Sequence, residues 1–155
     1  MIRPRGGSFV YSEAEISAMT RDIERAQTTD IGGIVTGVLK PDGGVDVDRT
    51  RTLVDSAAGL PVTFHRAFDR TRSLPDALEQ LIEIGVSRVL TSGGAPTALE
   101  GVLVLSALVA QARDRITIIA GGGVREHNVC ELIARTGVGE VHSRDVHGIR
   151  HAVTD

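Results

Sequence analysis

The sequence has only one cysteine, Cys130, which excludes an internal disulfide and a cysteine-cluster metal site. No apolar run approaches the roughly 18 residues that would span a bilayer, and nothing at the start reads as a charged region followed by a long apolar one. A cytoplasmic location without membrane attachment is the resulting expectation. Charge of one sign is not in excess either. The net charge is -3 and the pI near 5.9, which provides no general attraction to nucleic acid. The chain also lacks linkers, low-complexity stretches, a His-Glu-x-x-His pair, the spaced glycines of a dinucleotide site, and the lysine of an ATP-type phosphate loop.

What remains is ordinary soluble composition: 155 residues, 41% hydrophobic and 24% charged, enough for one domain with a useful core. Two short-range periods alternate along it. Helical spacing is predicted from Ser12 to Ala26, where Ser12 and Glu15 form a capping box, then over 46–58, from Leu74 to a Gly85 cap, over 98–112, and over 125–134. Strands are predicted at Ile2, 33–39, 62–68, 86–90, 116–120 and 140–143. The helical pattern around Cys130 predicts a small buried hydrophobe there.

Strands alternating with helices imply a parallel sheet covered on both faces. That pattern fits an open doubly wound sheet as well as a barrel. The placement of polar groups favours the barrel: Arg3 and Arg5, Thr36, His65 and Arg66, Thr91 and Ser92, Gly121 to Gly123, and His142 with Ser143 all sit at or just after strand ends, which converge on one mouth only in a barrel. The expected architecture is α/β, a partial (β/α)8 TIM barrel of about six strands over residues 1–143, followed by a tail over 144–155 that carries His147 and His151.

The sharpest local feature is Val62-Thr63-Phe64-His65-Arg66-Ala67-Phe68-Asp69. His65 can move a proton near neutral pH and Arg66 can hold a carboxylate or phosphate in its fork, making His65, Arg66 and Asp69 the candidate catalytic group. The alternative is a structural network in which Asp69 pairs with Arg66 and His65 bonds to backbone. Arg3 and Arg5 suit an anionic small molecule, or form a solvated charge pair. The glycine turns Thr91-Ser92-Gly93-Gly94 and Gly121-Gly122-Gly123-Val124-Arg125 can present amides to a phosphate at a helix start, or simply make room for the turn. Asn128 can cooperate with Arg125 across one helical turn. His65 and His142 are the candidate metal ligands, with Asp69 or another acid as a third. Reduced copper would want sulfur, and only Cys130, Met1 and Met19 offer it.

Five strings occur in one order: Arg3-Pro4-Arg5-Gly6-Gly7 with Phe9 and Tyr11, Thr36-Gly37-Val38-Leu39, Thr63 to Asp69, Val89-Leu90-Thr91-Ser92-Gly93, and Glu140-Val141-His142-Ser143. Together they resemble the CutC family, named for copper homeostasis. The resemblance implies a (β/α)8 barrel, a cytoplasmic homo-oligomer and copper as the candidate ion. It places Arg3, Arg5, Thr36, His65, Arg66, Asp69, Thr91, Ser92, His142 and Ser143 at the mouth without giving any of them a catalytic role. Against the family pattern, two strand-and-helix units with an acidic group and cysteines are missing ahead of Arg3, as is the closing helix. A truncated member is therefore expected. Three functions stay open: a copper-binding homeostasis protein, a barrel enzyme acting on a small anionic or phosphorylated metabolite, and an inactive truncated relative.

Overall fold

The computed structural model describes residues 1–145 together with Gly148 and Ile149. Helix α1 (Glu13–Gln27) begins as the sequence predicts. The Ser12 hydroxyl accepts from the Glu15 amide, and the Glu15 carboxylate accepts from the Ser12 amide at 2.8 Å. Ile16, Met19 and Ile23 form its buried stripe. Strand β1 (Ile34–Thr36) follows, then helix α2 (Val47–Ser56), capped by the Asp46 side chain, and strand β2 (Val62–Phe64). Helix α3 (Leu74–Glu83), strand β3 (Arg88–Thr91), helix α4 (Val102–Ala112), strand β4 (Thr117–Gly121), helix α5 (Glu126–Thr136) and strand β5 (Glu140–His142) complete the described order.

All four strand pairs are parallel and the sheet order is β1-β2-β3-β4-β5. A doubly wound sheet reverses its strand order at a switch point; a barrel adds each strand beside the last. The consecutive order therefore decides between the two architectures that periodicity leaves open. The core lies between sheet and helices in two clusters. One gathers α1 and α2 residues such as Met19, Ile23 and Leu53 with Ile34 and Val62 of β1 and β2. The larger one joins Phe64, Phe68, Leu78, Leu81, Leu105, Leu108, Val129 and Leu132.

Three expectations change. Among the described residues five strands form rather than six: Ile2 has no strand of its own, although its amide donates to the Val35 carbonyl at 2.8 Å and so lies along the β1 edge. Strand β2 stops at Phe64, because the His65 carbonyl accepts from the Phe68 amide and a 3-10 turn runs over Phe68–Arg70. Cys130 is exposed, since the buried stripe of α5 runs through Val129, Leu132 and Thr136 and the next residue along a helix turns about 100° away.

Candidate functional site

The carboxyl ends of the strands gather at one face, where a cavity of about 610 Å³ opens. Of the residues selected from sequence, it is lined by Arg3, His65, Arg66, Gly122, Gly123, Arg125, His142 and Ser143. Arg5, Thr36, Asp69, Thr91, Ser92 and Gly121 are not part of its lining.

Asp69 is the hub of the turn after β2. Its side chain is 7% exposed and its carboxylate accepts from Arg66 Nε at 2.7 Å, from the Ser92 amide at 3.1 Å, from the Gly94 amide at 3.0 Å and from the Thr91 hydroxyl. Arg66 Nη2 donates to the Ser92 hydroxyl at 2.6 Å. This is the structural network anticipated as the alternative for Asp69. It also has a functional consequence: with Nε and Nη2 both held, the guanidinium is fixed in place. Its Nη1 has no protein partner among the described residues and lies where a Cβ on Gly122 would stand, only 3.1 Å from it. Gly122 has φ +110, so both its backbone and its closeness to Arg66 call for glycine.

His65 is 5% exposed. Its Nδ1 accepts from the Ala67 amide at 3.2 Å, which leaves the ring proton on Nε2 in the neutral form. Nε2 is buried without a hydrogen-bond partner. The Phe9 ring tilts against the imidazole at 5.0 Å between centroids, and the Arg3 guanidinium lies 4.5 Å over the Phe9 ring. Burial pushes the His65 pKa down from 6.5 to about 4, with the Arg3 charge adding to the shift. The group is therefore a neutral donor at physiological pH, not an acid–base group poised near 7. Gly37 makes room for it: a Cβ there would stand 2.6 Å from Nδ1.

The Gly121–Gly123 turn is pinned from α5. Asn128 Nδ2 donates to the Gly123 carbonyl at 3.0 Å, and Asn128 Oδ1 accepts from the Arg125 amide at 2.9 Å. Arg125 and Asn128 thus cooperate through backbone as well as side chain. The Ser143 hydroxyl donates to the Val124 carbonyl at 2.7 Å, tying the end of β5 to the same turn. Gly121 is packed instead, since a Cβ would come within 2.5 Å of Leu90.

Arg5 serves the amino-terminal segment. Its Nε donates to Glu15 at 2.6 Å, its Nη2 to the Val10 carbonyl at 2.8 Å, and its guanidinium lies 5.1 Å over the Tyr11 ring. Thr36 is fully buried with its hydroxyl unpartnered, and its carbonyl accepts from the His65 amide at 2.9 Å. Among the described residues, no three His, Cys, Asp or Glu side chains come together as a metal site. His65 and His142 share the cavity, while Asp69 is committed to its own network. His147 and His151 lie outside the described residues.

Sequence reasoning missed Phe9 as the cover of His65 and placed Arg144 in a tail, yet Arg144 lines the cavity and Ile149 beyond it packs on the main core. The signal for Phe9 was its place just after the two arginines. Arg144 had none, because no periodicity marks it.

Comparisons with known proteins agree with this geometry. A CutC family model matches residues 1–147. A family protein CutC from Bacteroides fragilis is 46% identical over 142 residues, covering 92% of this chain and 57% of that protein. Another from Vibrio vulnificus is 50% identical over 144 residues, covering 92% and 58%. The chain spans less than two thirds of the length of these relatives. Among solved structures, one described as a copper homeostasis protein CutC from Streptococcus agalactiae superposes with a TM-score of 0.87 at 35% identity, over 91% of this chain and 69% of that one. A native KDPGal structure, with a TM-score of 0.59 and 17% identity over 95% and 68% of the two chains, shares the fold alone.

Proposed function

This chain belongs to the CutC family, and from that footing we propose that its mouth cavity binds a small anionic molecule bearing a phosphate or carboxylate, as the ligand of a TIM-barrel-like enzyme. One observation carries the proposal. Arg3, Arg66, Arg125 and Arg144 all line the cavity and no carboxylate does, although the chain as a whole is negative. Low-dielectric walls focus such a field on whatever enters. Arg66 is the best placed of the four, because Asp69 and Ser92 already hold its fork and little side-chain freedom is lost on binding. The Gly122–Gly123 turn beside it leads into the amino end of α5, where backbone amides and the helix dipole favour an anion. Cytoplasmic location and homo-oligomeric assembly are part of the same proposal by family membership.

Calorimetric titration of the chain with inorganic phosphate tests this. Saturable one-to-one binding that weakens about tenfold in Arg66→Ala and declines with added salt supports it. The absence of saturable heat at millimolar phosphate contradicts it.

The Streptococcus agalactiae relative's description supplies a second reading, copper binding. Copper suits thiolate, thioether and imidazole ligands. Around the cavity those are His65, His142 and Met1; Cys130 is exposed on α5 away from the lining, and Met19 is buried in α1. With four arginines opposing a cation, the described residues do not fit a copper centre, and no step is derived through one. Stoichiometric copper(I) binding that is lost in His142→Ala would favour this reading over the first.

A further inference from the structure

Anion binding leaves one group in the cavity wall without a role. His65 is 5% exposed, its Nε2 is buried with no partner, and the ring lines the cavity. Its opposite edge is fixed. Nδ1 accepts from the Ala67 amide, and Nδ1 and Cε1 press on Gly37 so closely that a Cβ there would stand 2.6 and 2.7 Å from them. Phe9 and Phe64 hold the ring from two sides, with centroids 5.0 and 6.0 Å away. The imidazole therefore cannot turn to satisfy Nε2–H from within the protein, and a buried donor left unmade is costly. A charged group of the ligand has the arginines to meet it; an uncharged ring N–H is matched to an uncharged oxygen.

We infer that the ligand of this cavity carries a ketone or hydroxyl oxygen beside its anionic group, and that His65 Nε2–H donates to that oxygen. The inference rests on the anion reading of the same cavity. It assigns His65 to recognition and, where the oxygen is a ketone, to its polarisation by a neutral donor rather than by proton transfer. Phe9 and Arg3, which cover the ring, keep water from competing for that hydrogen bond.

Two probes of equal length separate the inference from its premise: propyl phosphate, which offers the anion alone, and hydroxyacetone phosphate, which adds a ketone. Both are titrated calorimetrically into the full chain, its His65→Phe variant and its His65→Gln variant. The expected result is that both bind, that the ketone compound binds at least tenfold tighter to the wild type, that His65→Phe abolishes this advantage, and that His65→Gln, which retains an N–H donor, keeps part of it. A nitrogen-15 spectrum of the wild-type histidines adds a readout independent of variant folding: Nε2–H of His65 should shift with hydroxyacetone phosphate and not with propyl phosphate. Equal affinities and an unmoved His65 signal, as when an ordered water satisfies Nε2–H, would overturn the inference while leaving anion binding intact. If neither compound binds, the anion reading falls and the inference with it.

Discussion

Both glycine-rich turns at the mouth, 91–94 after β3 and 121–123 after β4, follow a parallel strand and contain glycines at positive φ: Gly93 at 71° and Gly94 at 75°, Gly122 at 110° and Gly123 at 73°. In the first, the amides of Ser92 and Gly94 are already bonded to an anion, the Asp69 carboxylate. In the second, no carboxylate of the protein bonds to the amides among the described residues, and Gly122 and Gly123 face the cavity beside Arg66. The same local backbone thus serves as a strut in one place and as a receptor in the other. What separates them is whether the chain supplies its own anion, and that is decided by a residue more than twenty positions away.

Removing the internal anion is the harshest way to break this comparison. Asp69→Ala leaves Arg66, two amides and the Thr91 hydroxyl without their acceptor, and a loss of about 3 kcal/mol is expected, read from urea midpoints. A change under 1 kcal/mol would show that the first turn does not depend on Asp69.

Acid stresses the cavity side to a similar extent. His65 has its pKa lowered from 6.5 to about 4 in the folded chain, so between these values the unfolded state takes up a proton that the folded state refuses. Stability that is fully present above pH 6.5 is then lost as pH falls towards 4, by on the order of 3 kcal/mol. Urea midpoints across this window should flatten in His65→Gln. An unchanged slope would mean that His65 is not buried neutral.

Gly122→Ala sharpens the receptor side. Its Cβ would meet Arg66 at 3.1 Å and the Ser92 side chain at 3.3 Å, and a tenfold loss of phosphate affinity is expected (~1.4 kcal/mol). Undiminished binding would move the anion away from this turn. The smallest effect is assigned to Asn128→Ala, which releases the Gly123 carbonyl and the Arg125 amide and should cost about 1 kcal/mol of stability.

The fold was largely legible. Capping at Ser12 and Asp46, the left-handed Gly85 and Gly137, and the alternation of periods are local signals, and local signals placed all five helices. The errors fall where long-range bonding decides. Ile2 borrows a single hydrogen bond from β1 instead of making a strand, and the backbone after Phe64 turns because His65 bonds to Ala67 and Phe68. The candidate site was legible as a set of strand ends, not as a set of roles. Arg5 and Arg3 look equivalent in sequence, yet Arg5 is engaged by Glu15 and the Val10 carbonyl while Arg3 reaches the cavity. Asp69 reads as an acid beside a histidine, and only the spatial approach of the β3 turn shows that its oxygens are already occupied.

Amide chemical shifts on adding inorganic phosphate to the full chain test the contrast between the two turns most directly. Binding at the cavity should move the Gly122 and Gly123 amides and leave Ser92 and Gly94, which are bonded to Asp69, nearly still. Shifts confined to Ser92 and Gly94, or no saturable shift in either turn, would contradict the account.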